Sequence, residues 1–120
     1  MKQEHIQVFD AMFDAAYAAG QEAVNKALKP DPMYVTDGKQ VWTVNDGPCG
    51  FSWVNVRNGR SAFAKYLKEF RKCHKSYQGG VDIWVSDYNQ SIHYKEIHAA
   101  AMSAKLQTFG IAAFSYSRMD

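Results

Sequence analysis

Few residues in this chain have the type and spacing to do chemistry. Cys49 lies in the string Asp46-Gly47-Pro48-Cys49-Gly50-Phe51-Ser52-Trp53-Val54. A thiol in a glycine-rich loop can serve as a nucleophile if a histidine activates it, which makes Asp46 and Cys49 a candidate loop site. The plainer reading is that glycine and proline serve the loop backbone and Cys49 is a small buried residue; no nucleophile elbow accompanies it. Cys73 and His74, with His93 and His98, are metal-ligating types, but adjacent helical residues point about 100° apart. His93 and His98 miss the i, i+4 spacing that places two ligands on one helical face, so they read as surface or boundary residues. Asp82, Asp87 and Glu96 are scattered, and no G-x-G-x-x-G or Gly-Lys-Ser/Thr string is present. The sequence therefore assigns no catalytic residue, no metal ligand and no cofactor.

Charge is more informative. Residues 57–75 hold Arg57, Arg60, Lys65, Lys68, Arg71, Lys72 and Lys75 against Glu69 alone, so this segment carries +6 in a chain of net +2, and the remainder is −4. Lys65, Lys68, Lys72 and Lys75 recur at i, i+3, i+7 and i+10, which predicts one basic helical face, flanked by Arg60 and Arg71. Such a face suits the phosphates of a nucleic acid or an acidic surface on a protein; a merely solvated helix face is the bland counterpart. Tyr77 and Tyr88 are aromatics that could stack on bases if exposed, whereas Trp42, Trp53 and Trp84 read as core.

The elements that must position these residues follow from periodicity. Ile6, Phe9, Phe13, Ala16, Tyr17, Gly20 and Val24 recur at helical spacing, predicting a helix over about 4–28 that Pro30 and Pro32 bring to an end. Gly20 costs about 1 kcal/mol there relative to Ala, unless close packing offsets it. Residues 33–36 and 39–44 flank Asp37-Gly38, a dipeptide that suits a two-residue hairpin turn. A third strand over 51–56 leads into a helix capped by Ser61 with an apolar stripe of Phe63, Tyr66, Leu67 and Phe70. A fourth strand follows Gly79-Gly80, then a helix beginning at Ser91 and ending at Gly110, then a fifth strand over 111–116.

This order predicts an α+β fold: a single mixed β-sheet of four to five strands with three helices mainly on one face, formed by a single domain over 1–120. Consecutive strand-helix-strand units favour parallel pairs with right-handed crossovers, the hairpin lying beside them. Trp53, Val54, Ile83, Val85, Leu67, Phe70, Leu106 and Phe109 are the expected core.

At 47% hydrophobic and 22% charged residues the composition is that of a globular chain. No apolar run approaches a membrane span and no signal-peptide pattern opens the chain, so the expectation is no membrane association, two reduced cysteines and a cytoplasmic location. Val8, Met12 and Ala19 extend the apolar surface of the first helix, which suggests a homodimer.

The strings Asp46 to Val54 and Gly79-Gly80-Val81-Asp82-Ile83-Trp84-Val85, and the ending Ser117-Arg118-Met119-Asp120, resemble a family of small uncharacterised phage and prophage proteins. The resemblance extends from about Pro32 onward. It implies a viral accessory gene expressed in a bacterial cytoplasm, and it transfers no catalytic residue. Three readings stand: a non-enzymatic binder of nucleic acid or of a nucleic-acid-handling protein through the basic helix, an inhibitor of a host defence protein, and a small enzyme using the Cys49 loop.

Overall fold

A computed structural model of the chain describes residues 1–27, 33–36, 41–44, 49–88 and 91–119, the two short segments by their backbone alone. In chain order the elements are α1 (Gln3–Lys26), β1 (Met33–Thr36), β2 (Val41–Val44), β3 (Gly50–Val56), α2 (Ala62–Phe70), β4 (His74–Lys75), β5 (Val81–Trp84), α3 (Ile92–Thr108) and β6 (Ala113–Met119).

Strands β4-β5-β3-β6 form one four-stranded sheet in that order, and every hydrogen-bonded neighbour is antiparallel. The α+β class with three helices and a single main sheet is as expected, but the expected mixed pairing is corrected. The cause is β4, a two-residue strand that reverses the chain before β5. Strands β3 and β4 run in the same direction around α2, yet β5 lies between them; β5 and β6 likewise run together around α3 with β3 between. The two crossover units interleave, which is the connectivity of a ferredoxin-like β-α-β-β-α-β sheet. Strands β1 and β2 pair with each other, from Met33↔Val44 to Thr36↔Val41, as a separate two-stranded ladder. The expected turn at Asp37-Gly38 lies outside the described residues.

Alternation along the strands sorts side chains between two faces. Ser52, Val54 and Val56 of β3 and Val81 and Ile83 of β5 are buried beneath the helices. Phe63, Ala64, Tyr66 and Leu67 of α2, and Ala99, Met102 and Leu106 of α3, close that core. Helix α1 packs on α3 and α2: Phe9 sits 5.5 Å from Phe63 and 5.4 Å from Tyr66 between ring centroids. Burial on two sides explains why α3 lacks a single apolar stripe, since its core-facing residues meet the sheet while His98 meets α1.

The core prediction holds for Val54, Leu67, Ile83, Val85 and Leu106 and fails for three aromatics. Phe70 and Phe109 are 42% and 40% exposed at helix ends, and Trp53 is only half-buried, on the opposite face of the sheet. Gly110 ends α3 at φ 83°, with Ile111 N–H donating to Leu106 O at 3.2 Å, as a left-handed glycine stop should.

Candidate functional site

The segment of charge +6 does not form one helical face. Helix α2 stops at Phe70, and Lys72 adopts φ 56°, the left-handed conformation that closes the helix as the Cys73 N–H donates to Leu67 O at 3.1 Å. The expected register of Lys65, Lys68, Lys72 and Lys75 along a single helix is therefore corrected: Lys72 lies past the helix end, and Lys75 belongs to β4.

Four of the six predicted residues nevertheless converge. Arg60, Lys65, Lys68 and Lys75 line one cleft of about 400 Å³ with Gly59, Ser76, Gly79, Gly80 and Val81, and no carboxylate is among these lining residues. Local structure places each cation. Asn58 Oδ1 accepts from the Arg60 N–H at 3.0 Å, fixing the turn that carries Arg60. Ser61 caps α2, its Oγ accepting from the Ala64 N–H at 3.1 Å, so Lys65 and Lys68 sit three residues apart on one exposed side. Lys75 pairs with the core-facing Val81 in β4–β5, which directs it to the helix side of the sheet. The floor is backbone: Gly80, at φ 75°, comes so close to β3 that a Cβ there would be 2.1 Å from Val56 O, and a Cβ on Gly59 would be 3.3 Å from Gly80 Cα. Two glycine turns thus touch where a side chain on either would meet backbone.

Arg71 and Lys72 do not join them. The Arg71 guanidinium turns back under α1, donating to Tyr66 Oη at 2.8 Å and to Asp10 and Asp14 at 3.2 and 3.4 Å, with its Cζ 4.3 Å above the Phe13 ring. Tyr66 in turn donates to Asp10. Lys72 lines a separate cleft of about 440 Å³ with Phe13, Arg71, Cys73, His74, Asp82, Ile83 and Trp84.

That second cleft gathers a thiol, an imidazole and a carboxylate, but burial pushes the Cys73 thiol up to about 11, the wrong direction for a nucleophile. Cys49 is exposed, against the expectation that it is buried, and its backbone bridges to Ser91; Asp46 lies outside the described residues. Among the described residues no group of three or more His, Cys, Asp or Glu could hold a metal ion, and no helix is long and apolar enough to cross a membrane. His98, expected at the surface or boundary, is 1% exposed.

The feature not legible in the sequence is the aromatic row on the sheet face turned away from the helices. Across the register Trp84, Trp53 and Tyr116 stand side by side on β5, β3 and β6, with Trp53–Trp84 and Trp53–Tyr116 centroids 4.7 and 6.2 Å apart. Trp84 is 48% exposed. Arg57 and Arg118 lie on the same face, 4.5 Å from the Phe114 ring and 5.5 Å from the Phe51 ring. The available signal was alternation: Phe51, Trp53 and Asn55 are out of phase with the core-facing Ser52, Val54 and Val56. Tyr77 is fully exposed on the β4–β5 turn, whereas Tyr88, the other expected stacking residue, is half-buried and shares a 2.8 Å hydrogen bond with His98 Nδ1. Comparison with known proteins finds no matching family model, curated protein or solved structure.

Proposed function

We propose that this protein is a non-enzymatic accessory binding protein whose cleft between α2 and the β4–β5 turn takes the phosphates of a nucleic-acid backbone. The observation that carries this reading is the convergence of Arg60, Lys65, Lys68 and Lys75 from three segments onto one cleft, with no carboxylate among its lining residues. Holding like charges together costs free energy that an anion removes, and lysine and arginine meeting phosphate release condensed counterions. Close backbone approach at Gly59 and Gly80 brings the turn that carries Arg60 up to the β4–β5 turn. The phage-type resemblance agrees with a small protein acting by binding a host or viral macromolecule in a bacterial cytoplasm. A homodimer through the outer side of α1, where Val8 is 56% exposed, belongs to the same reading, and light scattering decides it.

The test is binding of a labelled oligonucleotide across a salt series. Four phosphate contacts give a slope of log affinity against log salt of roughly −3 to −4 on a duplex and about −3 on a single strand. Charge reversal of Lys65, Lys68 and Lys75 to Glu should flatten that slope and weaken binding across all sequences, because phosphate contacts do not read bases. Unchanged binding in a folded reversal variant makes the cleft a solubilising surface. An inhibitor of a host defence protein, docked through an apolar or sheet-edge surface, is the second reading, favoured by Trp84 standing 48% exposed on the sheet; its complex survives nuclease and the purified protein does not bind DNA. The Cys49 enzyme reading predicts that Cys49→Ser abolishes function, whereas the binding reading predicts that it does not.

A further inference from the structure

The basic cleft has a neighbour. A second cleft, of about 360 Å³, opens on the other side of the β4–β5 turn, lined by Trp53, Trp84, Tyr77, Asp82, Arg118 and residues of the turn itself. Ser76 lines both. The turn is a narrow rim held by its own hydrogen bonds: Ser76 N–H to Gly80 O at 3.0 Å, Gly79 N–H to Ser76 O at 3.2 Å, and Gln78 N–H to Ser76 Oγ at 3.1 Å. On one side of this rim stand four cations; on the other stand exposed aromatic rings. Resting on the proposed phosphate role of the cleft, we propose that the partner is a single-stranded nucleic acid that crosses the rim, its phosphates in the basic cleft and its bases on Trp84 and Tyr77.

Three observations favour this occupant over a duplex or a protein. The rings and the cations are segregated across a single turn, as the bases and phosphates of an unpaired strand are, whereas a duplex hides its base faces. Trp84 stands at the end of the Trp84–Trp53–Tyr116 row and is 48% exposed, so a further ring can continue the row from it. Third, the Trp53 Nε1 atom is buried without a hydrogen-bond partner among the described residues, an orphan donor that a shift of the rings covering it would present to an acceptor on a seated base. The named charges on this face are also of the right balance, two arginines, Arg57 and Arg118, bordering the rings against the one carboxylate of Asp82, which accepts from the Asn55 amide at 2.9 Å.

The experiment compares three probes against the full chain by fluorescence anisotropy and by quenching of tryptophan emission: an oligothymidylate of about 12 nucleotides, matched to the usual footprint of a single-strand site, a duplex of equal length, and inorganic polyphosphate as a competitor without bases. The oligothymidylate should bind more tightly than the duplex and quench the emission. Trp84→Ala should weaken its binding roughly 5- to 100-fold, the range that loss of a base stack gives, while leaving polyphosphate competition in place. Tyr77→Ala removes a fully exposed side chain, so it reports binding with little folding cost. If both aromatic variants bind the oligothymidylate like the parent while the lysine reversal abolishes binding, the stacking platform is overturned and the phosphate cleft stands. If the lysine reversal binds normally and Trp84→Ala does not, the cleft fails instead. If the folded parent binds none of the three probes, both proposals fall and the aromatic face passes to a protein partner.

Discussion

Gly20 of α1 lies against the imidazole of His98 in α3 so closely that a Cβ at residue 20 would be 2.6 Å from Nδ1 and 2.7 Å from Cδ2 and Cε1. The cost of glycine inside a helix is thus offset by close approach of two helices. The imidazole cannot swing away: the Tyr17 ring meets it edge-on at 4.9 Å and the Tyr88 hydroxyl holds Nδ1 at 2.8 Å. Gly20→Ala gains about 1 kcal/mol of helix propensity but meets a packed ring, where overpacking costs about 1–3 kcal/mol. A net loss of stability is expected, read as a lower urea midpoint with an unchanged m-value; a higher midpoint would mean that the contact is loose.

The same imidazole sets a pH dependence. Burial lowers the pKa of His98 below its ordinary value, against the weaker opposing pull of the Asp87 carboxylate. The unfolded chain then binds a proton at higher pH than the folded one, so this group's contribution is fully present above about pH 6.5 and is lost as pH falls from there toward the folded pKa. Chemical denaturation at about pH 7.5 and about pH 5.5 should show the parent losing stability on acidification. A His98→Asn variant, less stable at both values, should lose less between them. Equal pH dependence in the two proteins would remove His98 as its source.

Lys72 gives a third test. A non-glycine residue held at φ 56° costs about 1–2 kcal/mol, against the added chain freedom that glycine gives the unfolded state. Lys72→Gly should therefore be neutral to stabilising by up to about 1 kcal/mol, measured as a raised denaturation midpoint. Because Lys72 does not line the basic cleft, oligonucleotide affinity should stay within about twofold of the parent, short of the loss that a full phosphate contact would bring. A destabilised Lys72→Gly would show that the lysine side chain contributes more than its backbone costs.

How much of this could be read from the sequence differs from residue to residue. The class, the three helices and the glycine stop at Gly110 were legible because periodicity and left-handed glycine leave strong local marks. The end of α2 was not: the string Arg71-Lys72-Cys73-His74-Lys75 contains no glycine or proline, and a lysine takes the left-handed position. With that stop hidden, the helical spacing of lysines runs on through β4, and without β4 the strand-helix-strand order favours a mixed sheet. The basic cleft was half legible, since the right cations were named on the wrong geometry and tertiary folding brings Lys75 back to Lys65 and Lys68. Hydrophobicity alone places Trp53 and Trp84 in the core, although their phase in the strand opposes that of Val54 and Ile83.

Arg71 separates structural from binding cations. Its guanidinium donates to Tyr66 and reaches Asp10 and Asp14, and burial together with the Asp10 hydrogen bond pushes the Tyr66 hydroxyl up. These contacts join the end of α2 to α1, and the Phe13 ring lies 4.3 Å beneath the same group. Arg71→Ala removes a hydrogen bond to a buried tyrosine, a partly exposed pair of ionic contacts and a cation–π contact. Discounted for solvent screening of the ion pairs, a loss of about 1–2 kcal/mol is expected. Arg71→Lys should recover part of the charge but not the hydrogen bond from Nε or the planar stack, so its stability should fall between the two. Neither variant removes a cation from the basic cleft, so the salt slope of oligonucleotide binding should match the parent while Lys75→Glu reduces it. A slope that falls in Arg71→Ala, measured well below its unfolding midpoint, would place Arg71 among the phosphate-binding residues and return the basic surface to the continuous face that its sequence spacing suggests.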